Sequence, residues 1–400
     1  MLFLIIFWMI MISSVSVYSS FRVTDIMAQR WFIDEAYNHF YVLRNISHVI
    51  ISMIMLGIVV KVPYTFFEKY SKYFFLVTIV WLVVVLLVWT SLNGARWWIS
   101  IPGIPFTIQP TEFLKFTLII YLAYFFKRYK AKLHTFSDWF LPFVLILSGL
   151  IFLIGSQPDF GTIMVIIPIS FIMFFMAGGN VRYLITFMIL GMILSSSVYF
   201  AGKYDKTIPE DRNKLSYITD RIDNFLADPE EIIKNKTINY QTEQALIAIG
   251  SWGFNGLGFG KSIQKFGYLP EVQWDFIFSV IVEELWFIWA FAILSLYLYI
   301  WSRWLYIYRH VKDLFAKYVA IWVSSWILMQ AFINIWVNLN IVPLTGITLP
   351  FVSYGWSSLL SLSLWLALLL AISRNIEHDA HGYRKDRKKR LNFIKKSLWN

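Results

Sequence analysis

Long uncharged apolar runs decide what this chain can fold into. Residues 74–90 and 163–179 contain no charged side chain. Runs of ~17 to 25 such residues match the hydrocarbon thickness of a bilayer when helical. A soluble domain carries about a quarter of its residues as charged groups to wet its surface. Here 58% of 400 residues are hydrophobic and 15% are charged. A very large soluble core would need amphipathic helices around it, and the sequence offers few. Backbone polar groups in lipid must be satisfied within their own segment, so the spans are helices.

The predicted class is all-α: a polytopic integral membrane protein of about ten spans. They fall near 2–19, 46–62, 74–90, 111–126, 139–157, 161–178, 183–202, 275–301, 318–341 and 357–373. Residues 1–19 lack a charged leader and a small-residue cleavage site, so they read as a first span and not as a signal peptide. Lysine and arginine set the orientation. They cluster after every second span: Lys61, Lys69 and Lys72; Lys127, Arg128, Lys130 and Lys132; Arg182; Arg303, Arg309 and Lys312. These connections are therefore cytoplasmic, and both termini lie inside. Residues 1–375 form one transmembrane domain, and 376–400 a basic cytoplasmic tail. The tail suits an anionic lipid surface, and no nucleic-acid partner is expected. The chain has no cysteine, which excludes disulfides and thiolate metal sites. No Walker loop, GxGxxG or HExxH is present, and His134, His378 and His381 have no ligand spacing.

The outward segments are 91–110, a turn near Pro158, a long stretch of about 203–274, and 341–356. They hold most of the turn-forming and polar residues, and function concentrates on such segments. Four groups stand out. In GYLPEVQWDFIFSVIVEEL (267–285), Asp275 sits at the mouth of a span, with Glu283 and Glu284 two turns deeper. A carboxylate at membrane depth needs a partner or a polar cavity. A helix N-cap would be the plainer role for Asp275, and a buried ion pair the plainer role for one of the glutamates. In NGARWWI (93–99) and QPTEFLK (109–115), Arg96 is outward and suited to phosphate, or else an anchor flanked by Trp97 and Trp98. Glu112 and Lys115, three apart, can pair on a helix. GSQPDFGT (155–162) places Asp159 at an outer turn, and PLTGITLPFVSYG (343–355) puts irregular backbone at membrane depth. Such backbone survives only when buried in protein or lining a cavity.

These groups, in this order and topology, resemble the SEDS family (FtsW, RodA and SpoVE) over nearly the whole chain from the second span onward. The run GKSIQKFGYLPE (260–271), together with NIWVNL (334–339) and Thr348, is more similar to the FtsW and SpoVE members than to RodA. The resemblance implies polymerisation of lipid II in the bacterial inner membrane, probing outward, in septal wall synthesis. The acceptor 4-hydroxyl would attack the anomeric carbon of the growing chain, and undecaprenyl pyrophosphate would leave. Asp275 matches the family's essential acid and is the expected general base. Arg96, and less directly Lys115, would meet the leaving pyrophosphate, with a divalent cation (Mg or Mn) able to share the task. Gln109, Glu112, Gln157, Asp159, Glu271 and Ser353 complete the expected substrate-facing set. No organic cofactor is expected. A class B penicillin-binding transpeptidase and other division proteins are the implied partners. The competing readings are a lipid II flippase, a RodA-type elongation polymerase and a pure scaffold. A transporter would bind near the midplane and often carries inverted repeats, which this sequence lacks.

One feature departs from the family. Tryptophan replaces the family's glycine at Trp252, Trp286, Trp289, Trp336 and Trp356, and Trp274 replaces a small residue. Glycine lets membrane helices approach closely, so indole there would overpack the bundle. Glycine codon GGA and TGA differ by one base. A gene in which TGA encodes glycine, translated with TGA as tryptophan, gives this pattern. Interfacial tryptophan accounts for Trp31 or Trp301 but not for Trp286 or Trp336.

Overall fold

The computed structural model describes residues 36–88, 99–100, 107–130, 136–157, 159–204, 219, 222–223, 225–226, 240–251, 256–266 and 268–374. The first expected span and the basic tail lie outside the described residues, as do Arg96 and Trp252. The described helices are α1 (Ala36–Val59), α2 (Tyr64–Val88), α3 (Pro110–Arg128), α4 (Leu141–Gly155), α5 (Phe160–Met176), α6 (Val181–Tyr204), α7 (Tyr240–Gly250), α8 (Ile277–Leu285), α9 (Phe287–His310), α10 (Leu314–Asn338) and α11 (Trp356–Arg374). One π-helical turn, Phe136–Phe140, leads into α4. A two-residue hairpin pairs Ile99–Ser100 with Thr107–Ile108 before α3.

Among the described residues, five segments are long and apolar enough to cross a membrane: Tyr64–Leu87, Phe136–Gly155, Phe287–His310, Leu314–Asn338 and Trp356–Arg374. Shorter apolar helices cover Leu43–Val59, Phe160–Met176 and Val181–Ser197. The protein is a multi-pass membrane protein. α10 is its axis and packs against α9, α3 and α5. Its core is filled by large aromatics, with Trp139, Trp304, Trp322, Trp326 and Trp365 almost wholly buried. The outer surface of α1 is an apolar stripe of Leu43, Ile46, Ile50, Ile54 and Ile58, spaced as one helical face. Its buried face is polar at Asn45, His48 and Ser52. On the cytoplasmic side, Lys127 of α3 joins Glu68 of α2 at 2.6 Å and Asp313, the N-cap of α10, at 2.7 Å.

The segment 275–301 is not one span, as expected, but two helices. α8 ends at Leu285, and α9 begins at Phe287. Between them, Trp286 adopts φ 70° and ψ 170°. That region is essentially restricted to glycine, because a Cβ collides with the backbone there. The chain thus breaks at a residue whose backbone is that of a glycine. Nor is Asp275 a helix cap: the N-cap of α8 is Phe276, which makes no side-chain cap.

Candidate active site

Asp275 closes an outer loop and stands just before α8. Two asparagines one turn apart on α10 hold its backbone. Asn334 Nδ2 donates to the Asp275 carbonyl at 2.9 Å, and Asn338 Nδ2 donates to it at 3.0 Å. Asn334 also donates to the carbonyl of Ile347 at 2.7 Å, which ties the 341–356 segment to the same point. Asn338 Oδ1 accepts from the Ser279 backbone N–H and hydroxyl, fixing the start of α8. Ser353 Oγ donates to the Trp274 carbonyl at 2.6 Å and accepts from the Leu349 N–H. The Tyr354 N–H reaches the Gln273 carbonyl at 2.9 Å. Residues 273–275 are therefore clamped from two sides, by α10 and by the 349–354 turn.

Two glycines show how closely the backbones approach. A Cβ on Gly346, which has φ +70°, would lie 3.6 Å from Asp275 Oδ2. A Cβ on Gly161 would strike the Thr345 carbonyl at 2.3 Å, so α5 abuts the 341–356 segment directly. Asp159 is the N-cap of α5 and accepts from the Thr162 N–H at 3.0 Å and hydroxyl at 2.8 Å. Gln157 Nε2 donates to the Leu82 carbonyl at 3.0 Å. The described contacts of both residues are to the protein's own framework.

Glu283 and Glu284 serve the loop before Asp275. Glu283 accepts from the Ser262 hydroxyl and from the Ile263 and Gln264 N–H groups. Glu284 pairs with Lys265 at 2.5 Å, with both side chains buried. The expected buried ion pair is present, and its cation comes from the loop itself. Sequence reasoning did not single out Lys265, Asn334 or Asn338 by role. The signal for Asn334 and Asn338 was available: two amides four apart in an apolar helix.

Lys115 is buried beside Glu112 at 2.6 Å, and it reaches Gln330 Oε1 at 3.4 Å. Gln330 in turn donates to the Thr348 carbonyl at 3.1 Å. Ser361 anchors the Glu112 carbonyl, and the Gln109 N–H donates to Ser357 Oγ. With its charge matched by Glu112 and its side chain enclosed, Lys115 supports the 341–356 segment from below. The Glu271 side chain is partly open to the outside, and its carbonyl accepts from the Asp275 N–H at 3.1 Å. The protein packed around its carboxyl pushes that acid above its ordinary value. Among the described residues, no three histidine, aspartate or glutamate side chains group closely enough to cage a metal ion. A divalent cation here would take most of its oxygen ligands from substrate phosphate and water.

Of the departing tryptophans, five lie within the described residues (Trp274, Trp286, Trp289, Trp336 and Trp356), and none is buried as those of the core are. Trp289 and Trp336 are 45% and 38% exposed on the apolar surface. Trp356 lies against the His48 ring at 5.4 Å, and Trp274 meets Tyr354 edge-on at 6.3 Å.

Comparison with known proteins gives the family and the fold. The family model described as "Cell cycle protein" (FtsW, RodA, SpoVE) matches residues 1–378. Stage V sporulation protein E of Bacillus subtilis is 34% identical over 337 residues, 84% of this chain and 87% of the relative. A "probable peptidoglycan glycosyltransferase FtsW" of Coxiella burnetii is 33% identical over 350 residues, 86% of this chain and 88% of the relative. Among solved structures, a peptidoglycan synthase complex described for its coordination of polymerization and crosslinking contains a chain of the same fold. It has a TM-score of 0.71 and 19% identity, and covers 94% of this chain and 97% of that one. RodA of Thermus thermophilus matches with a TM-score of 0.64 at 22% identity, covering 94% and 96%. From sequence and fold together, the chain belongs to the FtsW/RodA/SpoVE family.

Proposed function

We propose that this protein is a peptidoglycan glycosyltransferase of the bacterial cytoplasmic membrane, polymerising lipid II at the outer face during septal wall synthesis. One observation carries the reading: the outer-mouth carboxylate of Asp275 rests on a backbone clamped by Asn334, Asn338 and, through Trp274, Ser353. Relatives about a third identical over most of their length carry the name of that activity.

In the reaction, the 4-hydroxyl oxygen of the acceptor sugar forms a bond to the anomeric carbon of the growing chain. The bond from that carbon to the diphosphate oxygen breaks, and the link inverts from α to β. Asp275 takes the hydroxyl proton, and the electron pair leaves with the polyprenyl diphosphate. A base held in position supplies ~10²–10⁴ in rate. A class B penicillin-binding transpeptidase is the proposed partner, to crosslink the product, and the division role follows the FtsW- and SpoVE-like segments. A divalent cation at the diphosphate is part of the proposal.

The test is polymer formation from purified lipid II by the full chain with its partner. Wild type should make glycan, and Asp275→Asn should lose about a hundredfold or more while unfolding at the same temperature. Near-normal polymer from Asp275→Asn would remove the base assignment. If wild type makes no polymer yet moves lipid II across vesicles, the flippase reading replaces this one.

A further inference from the structure

The outer half of α10 carries a ladder of amides. Gln330, Asn334 and Asn338 are spaced four residues apart, so their side chains stack along one face. All three are almost wholly buried. A buried amide costs free energy unless it is hydrogen-bonded, and each of these is. Gln330 Nε2 donates to the Thr348 carbonyl at 3.1 Å. Asn334 Nδ2 donates to the carbonyl of Ile347, the residue before it, at 2.7 Å. Asn334 and Asn338 then meet at the Asp275 carbonyl. Two irregular segments thus take from α10 the partners that a helix or sheet would otherwise supply.

Gln330 differs from the two asparagines in what its oxygen holds. Gln330 Oε1 accepts from Trp326 Nε1 at 3.0 Å and from Lys115 Nζ at 3.4 Å. Lys115 is itself paired with Glu112 on α3. Two donors face the carboxamide oxygen and a carbonyl faces its nitrogen, so the group has one orientation. It bridges a buried charge pair on one side and the Thr348 turn on the other. That turn leads directly to the acid. Gly346, two residues before Thr348, is the position whose added Cβ would lie 3.6 Å from Asp275 Oδ2. Leu349, the residue after Thr348, gives its N–H to Ser353, which bonds the Trp274 carbonyl. A shift at Thr348 is therefore passed to residues that flank the carboxylate.

We infer that Gln330 is a positioning residue for glycosyl transfer: it ties the 346–349 turn to α10 and to the Lys115–Glu112 pair, and so sets the place of that turn beside the Asp275 carboxylate. The inference rests on the proposed role of Asp275 as the base. Gln330 acts through the Thr348 carbonyl, not on the sugars. A displacement of about 1 Å at a reacting group can cost a hundredfold in rate, so the bond bears on the chemical step more than on substrate affinity. A residue that only filled the core would need no more than its volume, which methionine supplies.

The experiment is steady-state polymerisation of lipid II by the full chain with its partner, alongside thermal unfolding. Gln330→Glu keeps an acceptor for Lys115 and Trp326 but offers Thr348 no donor. Gln330→Met keeps the volume and makes no hydrogen bond. In both variants kcat should fall about tenfold, with KM for lipid II within about twofold of wild type. Gln330→Met should cost much less in an Asn334→Ala background than in wild type, because the two side chains hold adjacent carbonyls of one turn. If Gln330→Met does not fold, Gln330→Glu decides, since it retains the contact with Lys115. Wild-type kcat in Gln330→Glu overturns the inference, and so does a loss confined to KM. Additive losses with Asn334→Ala overturn it as well. A lower unfolding temperature with unchanged kcat per folded molecule makes Gln330 a packing residue only. Near-normal polymer from Asp275→Asn removes the base and this inference with it. Full kcat in both Gln330 variants beside an inactive Asp275→Asn removes this inference alone.

Discussion

Lys115 Nζ lies 2.6 Å from Glu112 Oε1 in the interior of the bundle, one turn away on α3. Removing one member of such a pair strands a buried charge, at a cost of about 3–5 kcal/mol. Lys115→Met should therefore lower the unfolding temperature sharply in detergent. The double variant Lys115→Met/Glu112→Gln should recover most of the loss, since no charge is left unmatched. If the double variant is as unstable as the single one, the two side chains do not act as a pair.

The carbonyl of Asp275 is held by two amides, and this predicts a kinetic signature. Asn334→Ala removes bonds to Asp275 and Ile347 together. Polymerisation kcat should fall roughly ten- to a hundredfold, because small misplacements of a reacting group are costly. KM for lipid II should change little. A pure KM effect would mean that Asn334 serves substrate binding and not the placement of the acid.

Glu271 gives a pH-dependent effect. Its carboxyl is raised above the ordinary 4.5 by the protein packed around it. The folded state therefore favours the protonated form. The associated stability is fully present below the unfolded value of 4.5 and is lost as pH rises through the higher folded value. Glu271→Gln should stabilise the protein at pH 7, and its advantage should vanish on acidification toward pH 4. Thermal unfolding across that range reads the effect, and an advantage independent of pH would assign it to packing instead.

Trp286 occupies a backbone region that costs a non-glycine residue about 1–3 kcal/mol. Trp286→Gly should therefore raise the unfolding temperature, although it removes a large apolar side chain. In the genomic DNA, Trp252, Trp286, Trp289, Trp336 and Trp356 should be TGA, while buried core residues such as Trp322 and Trp326 should include TGG. Peptide masses from the native organism should show glycine at the five positions. TGG at all five would end the decoding explanation.

Much of the fold was legible because lipid imposes length and charge rules that a sequence cannot hide. Nine of the ten expected spans fall on described helices, and the first lies outside them. The break at Trp286 was not legible as a break, because the apolar run continues unbroken across it and tryptophan gives no turn signal. The Glu112–Lys115 pair followed from helical spacing. The Glu284–Lys265 pair did not, since its cation arrives from a loop 19 residues earlier. Asp275 stood out by its place at the mouth of an apolar run, and its expected role came from the family resemblance; its supports on α10 are remote in sequence and needed the fold to appear.

The double hold on the Asp275 carbonyl by Asn334 and Asn338 has a consequence for how a strand grows. The two asparagines belong to the central helix of the bundle, so the acid is a stationary point in the membrane. If it is the base, each cycle must bring a new sugar to it without the acid moving to meet one. Growth then requires the polymer to slide by one disaccharide, and its new membrane-bound end to pass from the acceptor to the donor position. Strand length is then set by how often a chain slips free before the next transfer, a contest between gliding and escape. It should respond to changes along the path of the strand while leaving the rate of each single bond-forming step intact.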